Sequence, residues 1–129
     1  MEIPLRAALL AWLAADPSLA AQLNAVTEEA PPRTALPWLA VAASASTDWS
    51  AKELRGREVR VALELHCRGD QPDAAAALVA GIEARIAALP SSQPAFQVVS
   101  IAFLRARAEM RAANTRAELR EYRFRVLAA

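Results

Sequence analysis

Residues 57–67 read REVRVALELHC, and apolar and charged side chains alternate along this stretch. Successive side chains of a β-strand point to opposite faces of the sheet, so strict alternation predicts a strand. One face of it carries Val59, Val61, Leu63, Leu65 and Cys67, and the other carries Glu58, Arg60, Glu64 and His66. The pattern is typical of an antiparallel sheet that buries one face and leaves the other in water.

Three further segments have strand character. Residues 38–46 (WLAVAASAS) follow Pro37, which a strand tolerates at its start. Residues 96–109 and 118–127 alternate like the first stretch, and the predicted inward residues are Val99, Ile101, Phe103, Tyr122, Phe124 and Val126. Because Asn114 and Thr115 lie between these two alternating segments, we predict a hairpin there rather than a helix.

Two main helices are predicted around these strands. Near the N-terminus, helical spacing gives an apolar stripe of Leu5, Leu9, Trp12 and Leu13, with Leu10 off the stripe and facing a neighbour. Asp16, Pro17 and Ser18 then start a short helix. A long helix is predicted from about residue 72 to residue 89, where Pro90 stops it. The predicted fold is α+β, an antiparallel sheet of about four strands packed against two main helices, in a single domain over residues 1–129.

Charge is distributed unevenly along the 129 residues. Fourteen of the 15 basic residues are arginine, and the net charge is only +1. Residues 105–125 hold seven arginines against three glutamates, a local charge of +4, which leaves −3 for the rest of the chain. Such polarity suits head-to-tail or ring contacts between copies. Hydrophobic residues make up 55% of the chain, but many are alanine, so we expect a modest core supported by oligomerisation.

The sequence contains few residues of the types that form catalytic, metal or phosphate-binding sites. His66 and Cys67 are neighbours on a predicted strand, so their side chains point to opposite faces and cannot form a base–nucleophile pair. One histidine and one cysteine do not make a zinc site, and three glycines provide no phosphate-binding loop. We predict no catalytic residue, no metal and no cofactor, and hence a protein that is not an enzyme.

Residues 7–15 (AALLAWLAA) imitate the core of a signal peptide. They are too few to span a bilayer, which takes about 20 apolar residues. Glu2 spoils the charged region that would precede such a core, and a new helix start follows at Asp16. We therefore expect a helix of the folded domain and no membrane partner.

The loop before the first stretch concentrates residue types favoured at interfaces. It contains Asp48, Trp49, Lys52, Arg55 and Arg57. Two alternatives are open for Trp49: it folds back over the sheet edge as part of the core, or it is an aromatic anchor for a partner. Arginines on one face of the hairpin would repel each other unless Glu109, Glu118, Glu121 or the acids of a partner offset them.

The ordered segments resemble a known family. They are LRAALLAWLAADPSLAAQL (5–23), VTEEAPPRTALPWLAV (26–41), STDWSAKELRGREVRVALELHCR (46–68), an alanine-rich helix, and a basic hairpin ending YRFRVLAA (122–129). This order is similar to that of the tail-completion, or tail terminator, proteins of long-tailed bacteriophages and phage-derived gene transfer agents.

The resemblance implies an antiparallel sheet packed against helices and a structural role. It implies a homo-hexameric ring, assembled in the bacterial cytoplasm, at the head–tail junction of a phage-like particle. The ring would cap the head-proximal end of the tail tube, stop its polymerisation and contact the tube protein and the head-completion, or stopper, protein. DNA would pass through without being recognised by sequence.

Composition and expected exposure select the residues for these contacts. The candidates are the connection 28–34 with Glu28, Glu29 and Arg33, the loop 48–57 with Asp48, Trp49, Lys52, Arg55 and Arg57, and the hairpin arginines Arg105, Arg107, Arg120, Arg123 and Arg125. The alternative function is a small nucleic-acid-binding domain that uses the basic hairpin. It is disfavoured because Phe103 and Phe124 fall on the apolar face, away from the arginine rows.

Overall fold

The structure is a computed structural model that describes residues 1–129. It contains three helices and five strands, in the order α1 (Glu2–Ala14), α2 (Pro17–Gln22), β1 (Val26–Thr27), β2 (Trp38–Asp48), β3 (Gly56–Arg68), α3 (Pro72–Ala87), β4 (Phe96–Arg111) and β5 (Thr115–Ala128). None of the helices is both long and apolar enough to cross a membrane.

The strands form one sheet in the order β1-β2-β3-β5-β4. All neighbouring strands are antiparallel except β1, which runs parallel to β2 through two residue pairs. The α+β prediction is confirmed, but the sheet has five strands instead of about four. The additional strand, β1, is two residues long, and two residues are too few for alternation to be visible in a sequence.

The core lies on one face of the sheet, under the helices. Val59, Val61, Leu63, Leu65 and Cys67 of β3 all belong to it, as the alternation predicts. The largest fully buried side chain is Phe124 of β5, and Leu5, Leu9 and Leu13 of α1 are fully buried with it. Leu10 is also buried, so the expectation that it faces a neighbour is wrong: α1 turns a wider surface to the core than a single stripe.

β4 departs from the predicted alternation. The buried residues are Phe96 and Val98, whereas Val99 is exposed and so does not point inward as predicted. The register slips between Val98 and Ser100, so Val99 is the extra residue of a β-bulge. After the bulge Ile101 and Phe103 are on the core side, opposite Phe124 and Tyr122, but the helices do not reach Phe103, which is 48% exposed.

Local signals fix the ends of these elements. The Asp16 side chain caps α2 by accepting a hydrogen bond from the Leu19 N–H at 3.0 Å, which leaves one fewer unpaired donor at the helix start. The β4–β5 hairpin turns at residues 112–114, where Ala113 and Asn114 have φ angles of 58° and 55°. The predicted hairpin between β4 and β5 is confirmed. All three helices pack on one face of the sheet, and the opposite face, called the helix-free face below, carries none.

Candidate assembly interface

The loop of residues 49–55 is a short, internally braced connection between β2 and β3. The Ser50 hydroxyl donates to Asp48 Oδ1 at 2.7 Å and accepts from the Gly56 N–H at 3.0 Å. A Cβ added at Gly56 would lie 2.4 Å from the Trp49 carbonyl oxygen, so no other residue fits there without a backbone shift. Lys52, Leu54 and Arg55 are exposed on this braced loop.

Trp49 lies on the helix-free face of the sheet. It is half-buried, and the Arg125 guanidinium carbon lies 5.5 Å from its ring centroid, in a cation–π contact. Arg125 Nε is also 3.4 Å from Glu58 Oε2. Trp49 is therefore not part of the helix-covered core, and its role as an anchor for a partner stays a prediction.

Arg57 joins this loop to the first helix. Its guanidinium lies 3.4 Å from Asp48 Oδ1 and 3.2 Å from Glu2 Oε1. The backbone N–H of Glu2 and the Ser46 hydroxyl both donate to the Glu2 carboxylate, and they lower its pKa to about 2. At neutral pH the carboxylate is therefore ionised, and it ties α1 to β2 and β3.

The connection 28–34 lies near the same edge of the sheet. Glu28 pairs with Arg6 of α1, and Arg6 Nη1 also donates to the Ser44 hydroxyl of β2 at 3.2 Å. Glu29 and Arg33 are exposed. Both helix residues contact β2, Arg6 at Ser44 and Glu2 at Ser46, so the connection 28–34 and the loop 48–57, the two predicted contact segments, belong to one edge of the molecule.

The hairpin arginines are mostly paired with acids of the chain itself. Arg105 Nε lies 3.2 Å from Glu121 Oε1, and Arg107 Nη2 lies 3.4 Å from Glu109 Oε2. Glu109, Glu118, Glu121 or the acids of a partner were predicted to offset the repulsion between these arginines. The structure provides these three glutamates and adds Glu58 of β3, which sequence reasoning had not assigned to this task.

One of the five predicted hairpin arginines lies on a different face. Arg120 points to the helix side, where it is 3.3 Å from Glu83 of α3 and 3.3 Å from Glu118. Arg105, Arg107, Arg123 and Arg125 are on the helix-free face. The structure therefore brings four of the five together and assigns Arg120 to the junction between α3 and β5.

Sequence reasoning missed two features of the helix-free face. Arg60 lies directly opposite Arg123 on the neighbouring strand, and neither forms an ion pair, while the Arg123 Nε is buried without a hydrogen-bond partner. Towards the other end of β3, His66 stacks on Trp38 with ring centroids 3.9 Å apart, and its Nε2 is 2.6 Å from Glu64. The alternation had put Arg60 and His66 on the wet face, but cross-strand partners cannot be obtained from alternation alone.

The predicted opposition of His66 and Cys67 is confirmed. Cys67 points into the core on the other side of β3, and burial raises the pKa of its thiol, with Glu118 adding to the effect. Two tryptophans, Trp38 and Trp49, do lie on the arginine-bearing face, but their rings are stacked on His66 and placed against Arg125.

The candidate residues therefore define two opposite edges. The β2 edge consists of β2 with Glu28, Glu29 and the loop 49–55, and the exposed fractions of the Glu28 and Asp48 side chains are 48% and 74%. The β4 edge consists of β4, on which the side chains of Arg105 and Arg107 are 59% and 60% exposed. The β4 strand carries a positive charge, and the β2 edge carries acids and bases side by side, with Glu28 and Asp48 each paired with an arginine of the chain.

The fold and its charged edges define an α+β protein with a helix-free sheet face, and comparison with known proteins identifies the family. The profile of the family described as Tail completion protein gp17 matches residues 7–128. The chain belongs to this family, and its role is structural, in a phage-type tail. The resemblance noted from the sequence is thereby confirmed.

The chain was also compared with curated proteins and with solved structures. No curated protein matches the chain. Among solved structures, a chain in the virion of a native gene transfer agent (GTA) particle is similar, with a TM-score of 0.71 and 22% sequence identity, covering 96% of this chain and 95% of that one. At that identity the similarity shows the shared fold.

Proposed function

We propose that copies of this protein associate head to tail and close into a hexameric ring. The ring caps the head-proximal end of a phage-like tail tube, stops the polymerisation of the tube and joins the tail to the head-completion protein. The observation that carries the proposal is family membership over residues 7–128.

The charge distribution supports ring formation. Arginines of the β4 edge and acids of the β2 edge lie at opposite sides of one protomer, so opposite charges meet when two copies make contact head to tail. Head-to-tail contacts generate rings when the rotation between neighbours closes. The single domain over residues 1–129 is the repeating unit of this ring, and its location is the head–tail junction of a particle such as the gene transfer agent virion that contains the similar chain.

The candidate interface residues divide between the two kinds of contact. Asp48, Glu28 and Glu29 on one edge and Arg105 and Arg107 on the other serve contacts between copies. The exposed loop residues Lys52 and Arg55 serve the tail tube or the head-completion protein, and Arg33 extends from the connection 28–34 towards the same partners.

The test is the tail made without this chain. In a producing strain that lacks it, electron micrographs should show tubes of uncontrolled length that are not attached to heads, and supplying the chain should restore tails of normal length. Tubes of normal length attached to heads in its absence would contradict the proposal.

The alternative function, nucleic-acid binding through the basic hairpin, is tested by the salt dependence of DNA binding. Binding of duplex DNA through the hairpin arginines would weaken steeply with salt, since each neutralised phosphate releases counterions. Because Arg105, Arg107 and Arg125 are already paired with glutamates, we expect only weak binding without sequence preference. Tight, salt-sensitive binding by the isolated chain would favour the alternative.

A further inference from the structure

Both edges of the sheet leave backbone groups unpaired. β2 pairs with β1 only at Leu39 and Ala40, so its outer side is open from Val41 to Asp48. The start of β4 is covered where the Val98 N–H donates to the Ser91 carbonyl at 2.7 Å, and the strand is open beyond it. Open edges of this kind are templates for pairing with another strand.

The direction of each backbone group follows from the ladder. The Trp49 N–H donates to the Gly56 carbonyl at 3.1 Å, and residues directed at the partner strand alternate with residues directed away from it. From that bond and the register of β2 with β3, Ser44, Ser46 and Asp48 direct their N–H and C=O groups outward.

The outward-facing residues of β4 follow from the β4–β5 hydrogen bonds in the same way. The Ala129 N–H donates to the Ala95 carbonyl at 3.3 Å, which fixes the odd-numbered residues of β5 as those that bond to β4. Residues of β4 opposite even-numbered β5 residues therefore face outward, and in the open part these are Ile101, Phe103, Ala106, Ala108 and Met110.

The two sets of outward residues are compatible in one sheet. In a hydrogen-bonded antiparallel pair, both side chains lie on the same face. Ser46 is opposite Val59 and Ala106 is opposite Arg120, so both side chains are on the helix side. The chain direction agrees as well, because β4 runs antiparallel to β2 within the protomer, and a rotation about an axis along the strands preserves that relation in the next copy.

From this geometry we infer that the β4 edge of one copy pairs, antiparallel, with the β2 edge of the next copy, so that the sheet continues across the subunit boundary. The inference rests on the proposed ring and assigns its contact surface. Pairing of β4 with β4 of a second copy would place Arg105 and Arg107 beside their own duplicates, and like charges across strands repel.

Side-chain size and charge favour β2 as the partner. Residues 42–47 of β2 are alanine, serine and threonine, and all are exposed, so they leave room for the long side chains of Arg105 and Arg107. The acids Glu28 and Asp48 lie on the helix side of this edge, paired with Arg6 and Arg57, and β2 itself contains no basic residue that would repel Arg105 and Arg107. The apolar Phe103 and Met110 of β4, 48% and 56% exposed, would also be covered by the neighbouring copy.

Cysteine crosslinking with a short bismaleimide tests the pairing. Purified S46C and A106C variants, each crosslinked alone, should give no dimer, whereas their mixture should give one, and the double variant should give a ladder. The unchanged chain is the matched control, because its single cysteine, Cys67, is 6% exposed and should not react.

The outcomes distinguish the pairing of β4 with β2 from the ring proposal. Crosslinking of A106C alone shows β4–β4 pairing and overturns the inference. Rings in electron micrographs without an S46C–A106C crosslink overturn it and leave the ring proposal standing. A monomer that crosslinks at no concentration overturns it as well. A ladder of open chains without closed rings supports the edge pairing and contradicts the hexamer.

A proline variant gives a second measurement that does not depend on cysteine. Ala108→Pro removes an outward N–H and no bond between β4 and β5, and an edge strand tolerates proline at such a position. We expect an unchanged circular dichroism spectrum and self-association weaker by about tenfold, since a hydrogen bond and its neighbours at the contact are lost. Unchanged self-association of a folded Ala108→Pro variant would overturn the inference.

Discussion

Two glycines with different environments give opposite expectations for the same substitution. Gly56→Ala would put a Cβ 2.4 Å from the Trp49 carbonyl oxygen and 2.9 Å from Leu127 Cδ2. We expect a loss of about 2 kcal/mol in the free energy of unfolding, because backbone has to move.

Gly81 lies within α3, where a Cβ meets only Leu19 Cδ2 at 3.4 Å. Gly81→Ala should stabilise by about 0.5–1 kcal/mol through helix propensity. Urea denaturation measures both, and equal effects would contradict this account of the loop.

The Glu2 carboxylate gives a prediction about pH. Its pKa is lowered from 4.5 to about 2 in the folded chain, so its stabilising contribution is complete above pH 4.5 and is lost as the pH falls towards 2. Glu2→Gln should lower the free energy of unfolding by about 1 kcal/mol at pH 7, a value limited by solvent screening. The difference from the unchanged chain should vanish near pH 2. Glu29→Gln, at an exposed position without an ion pair, is the control, and a pH-independent deficit of Glu2→Gln would refute the assignment.

At the level of elements, α1 and α3 are held together by a reciprocal contact between Trp12 and Arg85. The Trp12 indole N–H donates to the Arg85 carbonyl at 2.7 Å, the Arg85 Nε donates to the Trp12 carbonyl at 2.8 Å, and the guanidinium lies 3.3 Å from the ring centroid. Arg85→Lys keeps the charge but loses the planar stack and this Nε–H donor.

We expect Arg85→Lys to lower the free energy of unfolding by about 1–2 kcal/mol, as a half-buried cation–π contact and a hydrogen bond are weakened. Arg68→Lys is the matched control, because Arg68 is 62% exposed and pairs only with Asp70 at 3.5 Å. Thermal or urea denaturation should leave that control within about 0.5 kcal/mol of the unchanged chain.

The cross-strand pair of Arg60 and Arg123 is unfavourable for an isolated protomer. Like charges directly opposite each other in an antiparallel pair destabilise the sheet, and neither arginine has an acidic partner. Arg60→Glu should therefore raise the free energy of unfolding by about 0.5 kcal/mol. Arg60→Gln removes the repulsion without adding attraction. Its free energy of unfolding, measured by urea denaturation, should lie between those of the unchanged chain and of Arg60→Glu. A destabilised Arg60→Glu would mean that another acid already neutralises this pair.

The elements were predictable where a side-chain pattern repeats, and were not where the backbone breaks the pattern. Thirteen residues of β3 keep period-two alternation, so their inner face was assigned correctly. The bulge at Val99 inserts one residue with no compositional mark, and the inward assignment of Val99 failed for that reason. β1 and the pairing of Arg60 with Arg123 depend on which strands become neighbours, a tertiary property that local periodicity does not contain.

At the scale of the whole molecule, the basic segment of residues 105–125 lies on β4 and β5 at one side of the sheet, although the sequence did not indicate which residues share an edge or a face. Glu28 and Asp48 are 20 positions apart, and each pairs with an arginine, Arg6 and Arg57, from a different element. Arg120 and Arg123 are close in the chain, yet they lie on opposite faces of β5. Linear charge counts predicted that a polarity exists, and strand order was needed to locate it.

That polarity predicts how assembly responds to salt. If acids of the β2 edge attract arginines of the β4 edge in the next copy, added salt screens the attraction, since the Debye length falls from about 10 Å at 0.1 M to about 3 Å at 1 M. We expect the self-association constant, measured by analytical ultracentrifugation, to fall by about tenfold over that range. The thermal midpoint of the protomer should change little, because its core contains no buried charged residue. Arg107→Glu should weaken association at low salt and reduce its salt dependence, whereas Arg68→Glu, at the exposed end of the central strand β3, should do neither. Association that strengthens with salt would indicate that apolar contacts, such as those of Phe103 and Met110, dominate the boundary between copies.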